Sequence, residues 1–75
     1  MQLSDVLIHI NEMPNESEQN DLVEQLRNLE GVIAPGFSQE KDHMLFISYN
    51  SDTIDSTAMI EKVRENGYKA QLIGM

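Results

Sequence analysis

The stretch from Met13 to Val32 constrains this chain more than any other part of it. It reads as a loop, a capped amphipathic helix and a glycine stop. Leu22, Leu26 and Leu29 recur at spacings of four and three, which stacks them on one face of a helix with about 3.6 residues per turn. Asn15 stands at the N-cap with Glu18 three positions on, the spacing of a capping box with asparagine in place of serine or threonine. Glu16, Glu18 and Asp21 fall in or near the first turns, where negative charge suits the positive end of the helix dipole. Gly31 follows the last leucine, where a left-handed helix end favours a residue without a Cβ. The pattern predicts a helix from about Glu16 to Glu30.

On either side of this helix the period drops to two. Val6, Ile8 and Ile10 alternate with Leu7, His9 and Asn11, which predicts a half-buried strand over Leu3–Asn11. The loop Glu12–Pro14 connects it to the helix. Val32–Ser38 is a weaker strand, and Pro35 within it cannot donate a ladder hydrogen bond, so it belongs at a sheet edge or beside a bulge. Gln39–His43 is polar and turn-like. Met44–Tyr49 is the strongest strand, apolar at nearly every position. After a polar loop at Asn50–Asp52, a second helix starts near Asp55 or Ser56. Met59, Ile60 and Val63 make its apolar stripe, and Gly67 repeats the glycine stop. Tyr68–Ile73 reads as a last strand.

The order is βαββαβ. Short connections and right-handed crossovers lead to a four-stranded antiparallel sheet with both helices on one face. This α+β, ferredoxin-like sandwich puts the first and third strands in the centre and the second and fourth at the edges. Residues 1–75 read as a single domain.

Composition then limits the partners. Thirteen acidic residues against five basic ones give a net charge of −8, which leaves no basic footprint for nucleic acid and disfavours an anionic membrane surface. The first residues lack a basic segment leading into an apolar run, and no run approaches the ~20 apolar residues of a membrane span. A soluble, cytoplasmic protein is expected. The absence of cysteine removes disulfides, thiolate catalysis and cysteine-based metal sites.

Taken together, Met13, Leu22, Leu26, Leu29 and Gly31-Val32 resemble the heavy-metal-associated domain of copper chaperones and metal-pumping ATPases. Ile47 and Tyr49 in the third strand extend the resemblance, as do Met59, Ile60, Val63 and Gly67-Tyr68 around the second helix. The family carries Met-x-Cys-x-x-Cys in the first loop, and the resemblance implies a Cu(I) or Zn(II) ion held there by two thiolates. In this chain the two cysteine positions fall on Asn15 and Glu18, an amide and a carboxylate that suit Cu(I) poorly. Met13 matches, and the resemblance gives it a packing role beneath the loop. Tyr68 matches an aromatic or lysine position near that loop. The segment between the second and third strands is slightly longer than the family's.

Other candidate sites carry simpler alternatives. Glu12, Glu16, Glu18 and Asp21 gather near Asn15 and could hold a hard divalent cation weakly, but helix capping and a solvated acidic face account for them. His9 and His43 are the two histidines, each a common ligand for Cu(II), Ni(II) or Zn(II). Strand pairing, which the sequence leaves open, decides whether they meet or stand at opposite ends of neighbouring strands. Methionines occur at 1, 13, 44, 59 and 75. Met13 and Met59 are expected to fill core space, Met1 and Met75 to lie at the chain ends, and Met44 to be the exposed one. Leu7, Met44 and Phe46 should point away from the helices and form an apolar patch, which reads either as an interface or as ordinary exposed residues.

No Ser-His-acid arrangement, tuned carboxylate pair or phosphate-binding glycine loop is present, so no enzymatic activity and no resident cofactor are expected. Two readings stay open. One is an interaction module that contacts another protein or itself, in a metal-handling pathway. The alternative is a metal carrier using carboxylate, histidine or methionine ligands.

Overall fold

The computed structural model describes residues 1–41 and 43–74, so Asp42 in the predicted turn and the terminal Met75 lie outside the described residues. Six elements follow in order: β1 (Leu3–Ile10), α1 (Glu16–Arg27), β2 (Val32–Phe37), β3 (Met44–Asn50), α2 (Ser56–Glu65) and β4 (Ala70–Gly74). The strands form one antiparallel sheet in the order β2-β3-β1-β4, which is the ferredoxin-like arrangement. Alternation in β1 and β3 turns Val6, Ile8 and Ile10, with Leu45, Ile47 and Tyr49, to one side of the sheet, and all six are buried. Leu22 and Leu26 of α1 and Met59, Ile60 and Val63 of α2 close over them. Burial of apolar area on this one face is the main stabilising term, because truncating such a side chain to alanine costs about 2–5 kcal/mol.

The two helices are tied together at one end. Gln25 on α1 and Asn66 after α2 exchange amide hydrogen bonds at 2.9 and 3.0 Å, and Asn66 also donates to the Lys62 carbonyl at 2.9 Å. The Arg64 guanidinium reaches the carbonyl of Ala70 at 2.9 Å, which holds the end of α2 to the start of β4.

Edges and ends depart from the sequence pattern for local reasons. The α1 helix stops at Arg27 rather than Glu30, because Leu29 N–H bonds back to Leu26 and Val32 N–H to Leu29, a tighter winding that ends the α-helix early. Leu29 still packs half-buried against the core. The last strand begins at Ala70 rather than Tyr68, because Lys69 bonds to the first loop instead of the sheet: its carbonyl accepts from Asn11 N–H at 2.8 Å. Pro35 does lie on an edge strand with a bulge, where the register shifts between Val32 and Ala34. Its ring is buried, on the position paired with Ile47. A second irregularity interrupts the β1–β4 pairing between Leu7 and Ile8.

Gly31 has φ +98° and Gly67 φ +91°, both in the left-handed region that a Cβ disfavours by about 1–2 kcal/mol. Only Gly31 is also crowded. A Cβ there would lie 2.8 Å from Ile54 Cγ2 and 3.0 Å from Thr53 Cβ, whereas one at Gly67 would meet nothing within 4 Å. Gly31→Ala is therefore expected to lower the urea midpoint clearly more than Gly67→Ala. Equal midpoints would show that the 53–54 segment gives way without cost.

Candidate functional site

Two regions outside the core gather chemistry. The first is the end of the molecule where the β1–α1 loop meets the segment before β4. Asn15 caps α1: its Oδ1 accepts from Glu18 N–H at 2.9 Å, and Glu18 Oε1 accepts from Asn15 N–H at 2.9 Å. Both bonds of the capping box are present, so two otherwise unpaired helix donors are satisfied by these two side chains. Gln19 Nε2 donates to the Pro14 carbonyl at 3.1 Å. Glu12 Oε1 accepts from the backbone N–H of Lys69 at 3.0 Å, a clasp between loop and chain end that no sequence pattern announced.

Met13 corrects the expectation. It is 69% exposed, and Pro14 beside it is the buried residue of the loop. In an aperiodic loop the direction of a side chain follows the local backbone rather than any spacing, and here the proline ring takes the inward position. Met59 is fully buried as expected, and Met44 is half-buried rather than freely exposed.

Tyr68 sits against this acidic end. Burial of its phenol raises its pKa above the ordinary value near 10, and the negative charges of Glu18, Glu12 and Asp21 raise it further, in that order. Both causes favour the protonated, neutral hydroxyl. The two positions that the family resemblance assigns to thiolates hold hard oxygen and amide groups already engaged with the helix backbone. They do not fit a soft ion such as Cu(I). Glu16 lies exposed in the first turn, and no group of three or more His, Cys, Asp or Glu arranged to hold a metal occurs among the described residues.

The second region is the sheet face that the helices leave open. Cross-strand pairing sets Leu7 opposite Phe46, His9 opposite Met44 and Asp5 opposite Ser48. On the far side Phe46 pairs with Gly36, which offers no side chain to cover the ring. Phe46 is 53% exposed, while Leu7 and Met44 are half-buried. Ser48 Oγ donates to Asp5 Oδ1 at 2.8 Å beside this patch. His9 and His43 do meet: their rings lie 4.8 Å apart between centroids, edge to face at 76°.

No family model matches the sequence, and no curated protein matches it. Solved structures do match the fold. The N-terminal domain of a potential copper-translocating P-type ATPase from Bacillus subtilis, in its Cu(I)-loaded state, is 22% identical. It covers 97% of this chain and 90% of its own, with a TM-score of 0.85. Oxidized MerP from Ralstonia metallidurans CH34 is 11% identical over 96% of this chain and 99% of its own, with a TM-score of 0.83. The CsoZ metallochaperone is 18% identical over 93% and 99%, with a TM-score of 0.81. The chain therefore has the fold of copper-binding domains and metallochaperones without a single cysteine.

Two outcomes follow from this geometry. Asn15→Ala should cost about 0.5–2 kcal/mol of stability, the usual effect of losing an N-cap. Glu18→Ala should cost less and lose part of its effect in high salt, since it acts partly through the helix dipole. Denaturant midpoints equal to wild type for both would remove the capping account. For Tyr68, a raised folded pKa means that the folded state keeps the phenolic proton longer than the unfolded one. Its contribution is present in full below pH ~10 and is lost as pH climbs through the folded value. Alkaline absorbance titration in a Tyr49→Phe background should place the Tyr68 midpoint above 10. Glu18→Gln should lower it only part of the way, because burial is the larger cause; a full return would reverse that order.

Proposed function

We propose that this chain is a non-catalytic protein-contact module that uses the fold of copper-binding domains without their soft-metal site, and that it serves a metal-handling pathway. One observation carries the reading: the side chains of Asn15 and Glu18 are engaged with each other's backbone N–H groups. A soft ion would need other ligands at that end, and among the described residues none with sulfur stands there except Met13, a single thioether. The pathway assignment rests on the solved neighbours, among them a potential copper-translocating ATPase domain and metallochaperones.

The contact surface in this reading is the open sheet face around Phe46, with Leu7 and Met44. Gly36 has neither a positive φ nor any described atom near its missing Cβ, so nothing among the described residues requires glycine there. A strand glycine of that kind suits the close approach of another backbone. The occupant is another protein with a basic surface. A net charge of −8 on 75 residues opposes a second copy and attracts lysine and arginine around the apolar contact.

Competition with a Cu(I) chelator tests the first half. Wild type should leave the ion with the chelator, and a chain carrying Asn15→Cys with Glu18→Cys should take it. Tight one-to-one Cu(I) binding by wild type would overturn the reading. A folded double variant that gains no affinity would sink the equivalence of the two loops. Sedimentation velocity tests the second half, with wild type expected to stay monomeric at high concentration. A wild-type dimer abolished by Phe46→Ser would assign the face to self-association instead.

A further inference from the structure

His9 and His43 owe their proximity to the sheet. His9 points from the central strand β1 onto the open face, paired across to Met44 on β3 and to Gln71 on β4. His43 immediately precedes β3, and its carbonyl accepts from Ile10 N–H at 2.8 Å. That bond fixes the backbone of one histidine against the strand that carries the other. The rings then meet edge to face with centroids 4.8 Å apart.

A second observation sets this pair apart from an ordinary aromatic contact. His9 Nδ1 is buried and has no hydrogen-bond partner among the described residues. Buried side-chain nitrogens are nearly always paired, because an unpaired one loses its hydration without replacement. This nitrogen is left without a described protein partner on a ring that a second imidazole meets. An ion held by both rings would give its lone pair a partner.

We propose that His9 and His43 form a two-imidazole site for a borderline divalent metal ion on the open face of the sheet. Imidazole nitrogen suits Cu(II), Ni(II) and Zn(II), and two rings this close can each bring one nitrogen to the ~2.0–2.1 Å that such an ion needs. Among the described residues no carboxylate or further histidine completes a group of three. Among these residues the remaining coordination positions are left to water or to an incoming molecule. Binding is expected to be strongest for Cu(II), by the ordinary order of divalent affinities. The site is independent of the β1–α1 loop, and it stands or falls apart from the Cu(I) experiment above.

Cu(II) alone is the probe. Titration of the whole chain at neutral pH, followed by electron paramagnetic resonance, should give one ion per chain with hyperfine structure from two imidazole nitrogens. His9→Gln and His43→Gln should each weaken that binding at least tenfold and remove the two-nitrogen signature. Substoichiometric Cu(II) should broaden the imidazole proton resonances of both histidines in the unaltered chain before any others, which reads the site without a substitution. If both variants bind Cu(II) like wild type, the ion lies elsewhere, at the N-terminal amine or the Glu12–Glu16 acids, and the proposal is overturned. Loss in only one variant, with only that histidine broadened, would reduce the pair to a single surface ligand and overturn it equally.

Discussion

One-sided burial governs this molecule. Alternate residues of β1 and β3 point beneath the helices, and the intervening residues have no second layer to cover them. A 75-residue chain can bury about 60% of its unfolded surface, enough for one such layer and little more. The exposed ring of Phe46, the half-covered Leu7 and Met44 and the meeting of His9 with His43 all follow from that limit. The residues with chemistry to offer sit either on the bare face or at the end where α1 begins. Neither place supplies the fully buried side chains of the core.

The end where α1 begins shows how side-chain type decides the chemistry there. A helix N-terminus stabilises negative charge and presents unpaired N–H groups. A thiolate placed there remains available as a ligand. An Asn–Glu pair at the capping-box spacing instead turns inward, each side chain bonding the other's backbone. Both side chains are thereby engaged with the helix backbone. Glu12, bonded to Lys69 N–H, adds a second link of the same kind, and Tyr68 remains a neutral hydroxyl among carboxylates.

How far the sequence reveals this depends on whether periodicity sets the feature. Strands, helices, the capping box and the central position of β1 and β3 were legible, because alternation and 3.6-residue spacing dictate them. The reversal of Met13 and Pro14 was not, since no period governs a loop side chain. The second reason for Gly31 was also hidden: a positive φ explains a glycine locally, but its crowding by Thr53 and Ile54 comes from residues more than 20 positions away. The histidine pair depended on the register between β1 and β3, which no local pattern in either strand fixes. A shift by one residue would have sent His9 to the core face.

The open face has two characters along one ladder. Near its middle, Leu7, Phe46 and the bare Gly36 offer apolar contact. Next to them, at the His9–Met44 rung, imidazole nitrogen replaces carbon. Apolar contact alone supplies affinity with little direction, whereas a metal ion or a hydrogen bond at the histidines fixes orientation. A partner that spans both parts would gain the two effects from adjacent rungs of the same two strands, β1 and β3. The acidic end lies outside this ladder and contributes differently, through a field that acts over about a Debye length of 8–10 Å and weakens with salt. Because that charge resides in aspartate and glutamate side chains, it would attract a basic partner with no ion bound, and a bound divalent cation would only partly offset it.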